Sequence, residues 1–274
     1  MEKTGLVKPA LTKWCLEGAT PPWSLEKICQ AAKTLGVEAV EVVSPEDFPT
    51  LKRHGLVSAL TNSHMFVRGM NNRAHWDECL TALRTAIDAN AAYGFDRAIT
   101  FWGFEDTSDE GGSRVDLDEG KKNLIEGYKK IVKYAEEKGT VICLEPLNTR
   151  DPVAMKGHPG YQGADIEDCM EVVKAVGSPS LRLLFDFYHV QIMNGDLIRR
   201  IGEIREYIGY VQGAGVPGRH ELDETQEINF PAVLKALADN GYNGYVGLEF
   251  LPTAADPMDS LEAAVRVFRK LGGR

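Results

Sequence analysis

The 274-residue chain contains no apolar run approaching the roughly 18 residues that a membrane span requires. Its opening stretch, MEKTGLVKPALTKW, lacks the apolar core of a secretory signal, so a cytoplasmic location and no membrane partner are expected. Cysteine is scarce: Cys15, Cys29, Cys79, Cys143 and Cys169 are odd in number, and none form a CxxC unit. That argues against a disulfide framework or a zinc ribbon and predicts buried, reduced thiols. Positive charge is in deficit, with 31 Lys and Arg against 40 Asp and Glu, a net charge of -9 and a pI of about 5.3. An acidic surface repels phosphate backbones, so nucleic acid is not an expected partner, whereas a small anionic substrate in a locally basic or metal-charged site is not excluded. No low-complexity linker or composition shift marks a domain boundary. The first strand is followed by CLEGATPPW rather than by the GxGxxG turn of a nucleotide-binding half.

What is present is alternation. Short runs rich in β-branched and aromatic residues predict strands at 8–16, 38–43, 56–62, 97–103, 141–146, 182–187, 208–213 and 245–250. Amphipathic stretches with caps and terminal glycines lie between them. Ser24 and Gly36 bound one; others close on Gly94, Gly139, Gly177 and Gly241. Ser44 and Pro45 open a helix that Pro49 should keep short or broken. The expected fold class is α/β: parallel strands with right-handed crossovers, closed into a (β/α)8 TIM barrel. One domain over residues 1–274 suits the roughly 250 residues typical of that fold.

In such a barrel the chemistry sits at the C-terminal strand ends and the loops that follow. Those ends are predicted to carry Glu17, Glu41, His64, Trp102, Glu145, Asp186, Gln212 and Glu249. The last four, in CLEP, LLFDF, YVQG and GLEF, place oxygen-bearing side chains in successive apolar strands. A carboxylate there is costly unless it is paired or metal-bound. Three carboxylates and an amide suit one divalent cation such as Mg, Mn or Co; zinc, which prefers nitrogen and sulfur, suits them less.

The stretch DFYHVQIMNGDLIRRI, the IGYVQGAGVPGRHE segment, EINF and GLEF together resemble the xylose isomerase-like sugar isomerases and epimerases, hydroxypyruvate isomerases above all. The resemblance covers about the last half of the chain; the first half agrees in pattern, with SHMFVRGMNN and ITFWG as weaker motifs. It implies metal ligation by Glu145, Asp186, Gln212 and Glu249, proton transfer by Glu145 and Glu249, and substrate contact by His189 and Arg219. His64 and Trp102 are further substrate-binding candidates from their strand-end positions. Two segments depart from the family pattern, EVVSPED after strand two and NTRDPVAMKGHPGYQG after strand five; both shape the pocket and so the substrate.

The implied activity is isomerisation of a small hydroxy-carbonyl compound of the hydroxypyruvate or tartronate semialdehyde type. One glutamate removes a proton beside a carbonyl and the other returns it, through an enediolate that the metal stabilises. Epimerisation of a free keto-sugar, as in D-tagatose or D-psicose 3-epimerases, needs the same two carboxylates and stands as the alternative. Metal-dependent hydrolysis, including endonuclease action on damaged DNA, needs more strand-end histidines and a basic groove. The expected partner is a small-molecule substrate, with self-association left open.

Overall fold

The computed structural model describes residues 7–271 and closes eight parallel strands into a barrel in chain order, β1 to β8. The elements run β1 (Lys8–Thr12), α1 (Lys13–Glu17), α2 (Leu25–Leu35), β2 (Ala39–Val43), α3 (Phe48–Arg53), β3 (Val57–Thr61), α4 (Trp76–Tyr93) and β4 (Arg97–Phe101). They continue α5 (Leu117–Lys129), α6 (Val132–Lys138), β5 (Val141–Glu145), α7 (Ile166–Val176), β6 (Leu181–Asp186), α8 (Phe187–Met193) and α9 (Leu197–Ile204). β7 (Ile208–Gly213), α10 (Phe230–Asp239), β8 (Tyr245–Leu248) and α11 (Pro257–Leu271) complete them. Among the described residues no helix is long and apolar enough to cross a membrane.

The strands are short because each spans only the barrel wall, and their residues are buried on both faces, by the lumen and by the helical layer. Helix limits follow the local chemistry the sequence advertises. Ser24 caps α2 by accepting from the Lys27 N–H, and Gly36 ends it in the left-handed region. Asp165 and Gly177 do the same for α7. The Ser44 segment is a 3-10 turn followed by the short α3, as Pro49 required.

Three expectations change. The first strand ends at Thr12, not at residue 16, and the chain turns directly into α1. The stretch from Asp116 to Gly139 is two helices, broken where Lys130 and Ile131 donate to Gly127 and Tyr128 through tight three-residue bonds. No glycine or proline stands at the break itself, so periodicity gives no warning of it. Finally α8 and α9 lie between β6 and β7, where the sequence pattern predicts no helix; α8 starts directly after the last strand residue, Asp186, which caps it by accepting at Oδ1 from the Tyr188 N–H at 2.7 Å.

Register then aligns the mouth of the barrel. Thr12 pairs with Glu41, Phe101 with Glu145, Asp186 with Gln212, and Gln212 with Gly247. Polar side chains from β1, β2, β5, β6 and β7 therefore reach the same end of the lumen.

Candidate active site

A cavity of about 300 Å³ opens at this end, walled by Glu145, Glu249, Arg219, Trp14, Lys13 and His158, with Phe66, Phe101 and Met155 on its apolar side. Glu41, Glu145, Asp186 and Glu249 are all buried here, with no more than 5% exposure each. Arg219 is the cation beside Glu249 and Asp186. It donates from one terminal nitrogen to Glu249 Oε2 at 2.5 Å, and the same nitrogen lies 3.9 Å from Asp186 Oδ2. Its other terminal nitrogen donates to the Met155 carbonyl at 2.5 Å and its Nε to the Glu249 carbonyl at 3.3 Å. A guanidinium has five N–H groups, so one remains on each terminal nitrogen. Trp14 Nε1 donates to Glu249 Oε1 at 2.8 Å.

The electrostatics follow from this crowding. Burial first, then the Glu249 charge, raise Asp186 to about 7 and Glu41 to about 8. Glu145 is pushed well above the carboxylate range by burial and by the neighbouring Glu249 and Asp186. His189 is held well below its ordinary value by burial and then by Arg219; His158 falls to about 4 for the same reasons.

The buried polar atoms at this site without a hydrogen-bond partner include Glu41 Oε2, Glu145 Oε1, Asp186 Oδ2, Gln212 Oε1 and His189 Nε2. Ligand atoms of Glu145, Asp186 and His189 lie within 4.8 Å of one another, a spacing that fits a single ion. Unpaired buried oxygens of this kind demand an explanation, and a hard divalent cation supplies one. His189 is set apart by its tautomer. Its Nδ1 accepts from the Asn148 backbone N–H at 3.0 Å, and a backbone N–H can only donate. Neutral His189 therefore carries its proton on Nε2, 3.6 Å from Asp186 Oδ2, and points a donor rather than a lone pair into the site.

The structure thus brings together Glu145, Asp186, Gln212, Glu249, His189 and Arg219. His64 and Trp102 have their polar atoms bonded elsewhere, and neither lines the cavity. Both His64 nitrogens are occupied, Nε2 by Thr100 Oγ1 at 2.8 Å and Nδ1 by the Met65 carbonyl at 3.1 Å. Trp102 is fully buried, with Nε1 bonded to Gln162 Oε1 at 3.0 Å, and a Cβ on Gly163 would come within 2.6 Å of its ring. Glu17 lies at the end of α1 on the outer lip rather than at a strand end.

Sequence reasoning gave no role to Glu41, Trp14, Asn148 or His158. Glu41 carried the same signal as Glu145, a carboxylate in an apolar run. Trp14 was hidden by the overlong first strand. Asn148 and His158 sit in the long loop after β5, where spacing carries no periodic signal.

The model of the xylose isomerase-like TIM barrel matches residues 29–271. The chain belongs to the xylose isomerase-like TIM barrel family. Among curated proteins it is 31% identical over 239 residues to a 2-oxo-tetronate isomerase of Haemophilus influenzae, covering 81% of this chain and 86% of that one. It is 38% identical over 120 residues to a 2-oxo-tetronate isomerase of Cupriavidus necator, where the alignment spans only 44% of each. A human relative carrying the provisional name hydroxypyruvate isomerase is 28% identical over 230 residues, 83% of this chain and 75% of that one. Among solved structures, that of a Brucella melitensis protein named AP endonuclease, family 2, superposes with a TM-score of 0.78 at 25% identity, covering 93% of this chain and 96% of that one.

Proposed function

We propose that this protein is a metal-dependent isomerase that moves a proton between adjacent carbons of a small hydroxy-carbonyl acid, of the hydroxypyruvate or 2-oxo-tetronate type. The observation that carries the reading is the set of unpartnered buried oxygens on Glu145, Asp186 and Gln212 beside a second glutamate, Glu249. The isomerase names of the full-length relatives support the reaction class.

Glu145, Asp186, Gln212 and Glu249 would hold one Mg, Mn or Co ion. When bound, such an ion stabilises negative charge developing on oxygens next to the reacting carbon. The chain's own residues do the rest. Glu145 and Glu249 both face the cavity, so in one direction Glu249 accepts the proton from carbon and Glu145 delivers one to the neighbouring carbon while the hydroxyl proton passes to the carbonyl oxygen; the reverse direction exchanges the roles. His189 offers its Nε2–H to a substrate oxygen. Arg219 keeps Glu249 in place and retains two N–H groups for a substrate carboxylate or hydroxyl. Phe66, Phe101 and Met155 give the cavity apolar lining.

Solvent-deuterium exchange into substrate tests this with Mn²⁺, Mg²⁺ and Co²⁺ added in turn. Exchange is expected with hydroxypyruvate or 2-oxo-tetronate and not with D-psicose or D-tagatose. Exchange confined to the keto-sugars would replace the acid with a neutral substrate. No exchange on any of them would remove the isomerase reading. Nucleic-acid cleavage, the activity in the name of the Brucella protein, is disfavoured by the net charge of -9, which offers no counterion-release term.

A further inference from the structure

The proposed proton transfer leaves one buried carboxylate without a task. Glu41 is fully buried inside the barrel. The Thr12 hydroxyl donates to its Oε1, and Gln212 Nε2 donates to the same oxygen at 3.0 Å. Gly247, the neighbour of Gln212 on β8, leaves it space: a Cβ there would collide with the Glu41 carboxylate. The β2 ladder shifts register on both sides of Glu41, and Val42 takes a φ of 50°, an uncommon conformation for a β-branched residue. Four strands therefore converge on a group whose burial opposes stability and which lies outside the wall of the cavity.

We propose that Glu41 is a positioning residue that fixes which end of the Gln212 amide faces the metal cradle. The two ends of a glutamine amide have nearly the same shape, so packing alone does not choose between them. The Oε1 of Glu41 accepts, whether the carboxyl is charged or neutral, and it draws Nε2 to itself. Oε1 of Gln212 is then left buried and without a partner, available as a ligand. Reversal of the amide would set oxygen against oxygen at an ionised Glu41 and turn an NH₂ group toward the cation. Partners that orient a ligand in this way commonly control affinity as strongly as weak ligands do.

The inference rests on the reading of Gln212 as a ligand, and the experiment separates the two. Mn²⁺ is titrated calorimetrically into the chelator-treated full-length protein and its variants, each checked for native circular dichroism. Glu41→Met, which keeps volume but removes the acceptor, is expected to weaken Mn²⁺ binding by about 10–100-fold. Glu41→Gln can still accept through its amide oxygen but can also reverse, so its loss should be intermediate. Gln212→Ala should weaken binding alone and add little in the Glu41→Met background. If wild type and Gln212→Ala bind Mn²⁺ equally, the ligand reading fails, and this inference with it. If Gln212→Ala weakens binding but Glu41→Met does not, or if the two losses add, the positioning role alone is overturned. Equal losses in Glu41→Met and Glu41→Gln would overturn it too, by assigning the effect to charge. Should Glu41→Met fail to fold, the ¹⁵N-labelled wild type still decides. Its Gln212 side-chain amide protons should be protected from solvent exchange and stay so when Mg²⁺ is added; free exchange would overturn the proposal.

Discussion

At the N-terminal mouth of the barrel, Lys8 meets Glu38 at 2.8 Å with both side chains partly in water, and Arg97 meets Asp96 at 2.6 Å while its Nε reaches the Gly209 carbonyl. Each charge there has a counter-charge of its own or a backbone acceptor. At the C-terminal mouth, Glu41, Glu145, Asp186 and Glu249 are all buried, and Arg219 is paired with Glu249 beside Asp186. A cavity of about 320 Å³ opens beside Lys8 and Glu38 too, so volume does not separate the ends. Charge balance does. One end is arranged for stability. The other keeps mutually repelling carboxylates together, a cost that folding alone would not select.

The comparison breaks most readily at the two glutamates. Glu145→Gln and Glu249→Gln keep size and an oxygen but remove the base, and each should lower kcat by about 10²–10⁴-fold. Turnover should be followed by deuterium wash-in and the fold by thermal melting. Near wild-type turnover in either variant would sink the two-carboxylate mechanism. Glu38→Gln at the opposite mouth should leave turnover unchanged.

Removing the shared cation comes next. Arg219→Ala leaves buried carboxylates unpaired and should destabilise the metal-free protein by about 3–5 kcal/mol in urea titration. Arg219→Lys should lose less, since it keeps the charge but not the simultaneous reach to Glu249 and the Met155 carbonyl. An Arg219→Ala variant as stable as wild type would mean that the C-terminal charges are not confined as described.

A smaller effect is expected from pH. Folding raises Asp186 to about 7 and Glu41 to about 8, and raises Glu145 as well, so above the ordinary carboxylate range the folded protein holds protons that the unfolded chain has released. Stability therefore falls as pH rises through these values. The buried His64, His158 and His189, all lowered from 6.5, act the other way below that value, because there the unfolded chain binds the extra protons. Above about pH 6.5 the histidine contribution fades over roughly the next unit and the carboxylates dominate. The metal-free melting temperature should decline from pH 6.5 to 8, and Mn²⁺ should reduce or reverse the decline. A flat or rising metal-free curve in that window would contradict the clustering.

The smallest effect belongs to the N-terminal mouth. Lys8→Met removes a solvent-screened pair and should change stability by no more than about 1 kcal/mol. A larger loss in urea titration would show that this end too depends on its charges.

Much of the site was legible in the residues. Glu145 and Asp186 end strands, Gln212 is the last but one residue of its strand, and Glu249 follows the last strand; an oxygen-bearing side chain closing an apolar run stands out against its neighbours. Arg219 and His189 came from the family resemblance, and both lie close in sequence to those ends. His64 and Trp102 stood at equally plausible places but turn away from the cavity, where Thr100 and Gln162 satisfy them. Position along a strand tells which end a residue occupies. It does not tell which way the following loop folds back.

The alternation of eight apolar runs with capped amphipathic stretches was written in local chemistry: caps, terminal glycines and β-branched runs act within a few residues of themselves. So were the acidic balance and the oxygen-rich strand ends. Tertiary structure alone decided that Glu41 points inward onto Gln212, that Trp14 and Arg219 grip the two oxygens of Glu249, and that Asn148 sets the His189 tautomer. In a strand, a slip of one residue exchanges the two faces, and register is fixed only when the barrel closes and every strand finds both neighbours. The bulge at Glu41, the early end of β1 and the return of the β5 loop over β6 all depend on that closure, and they determine which of the legible residues meet.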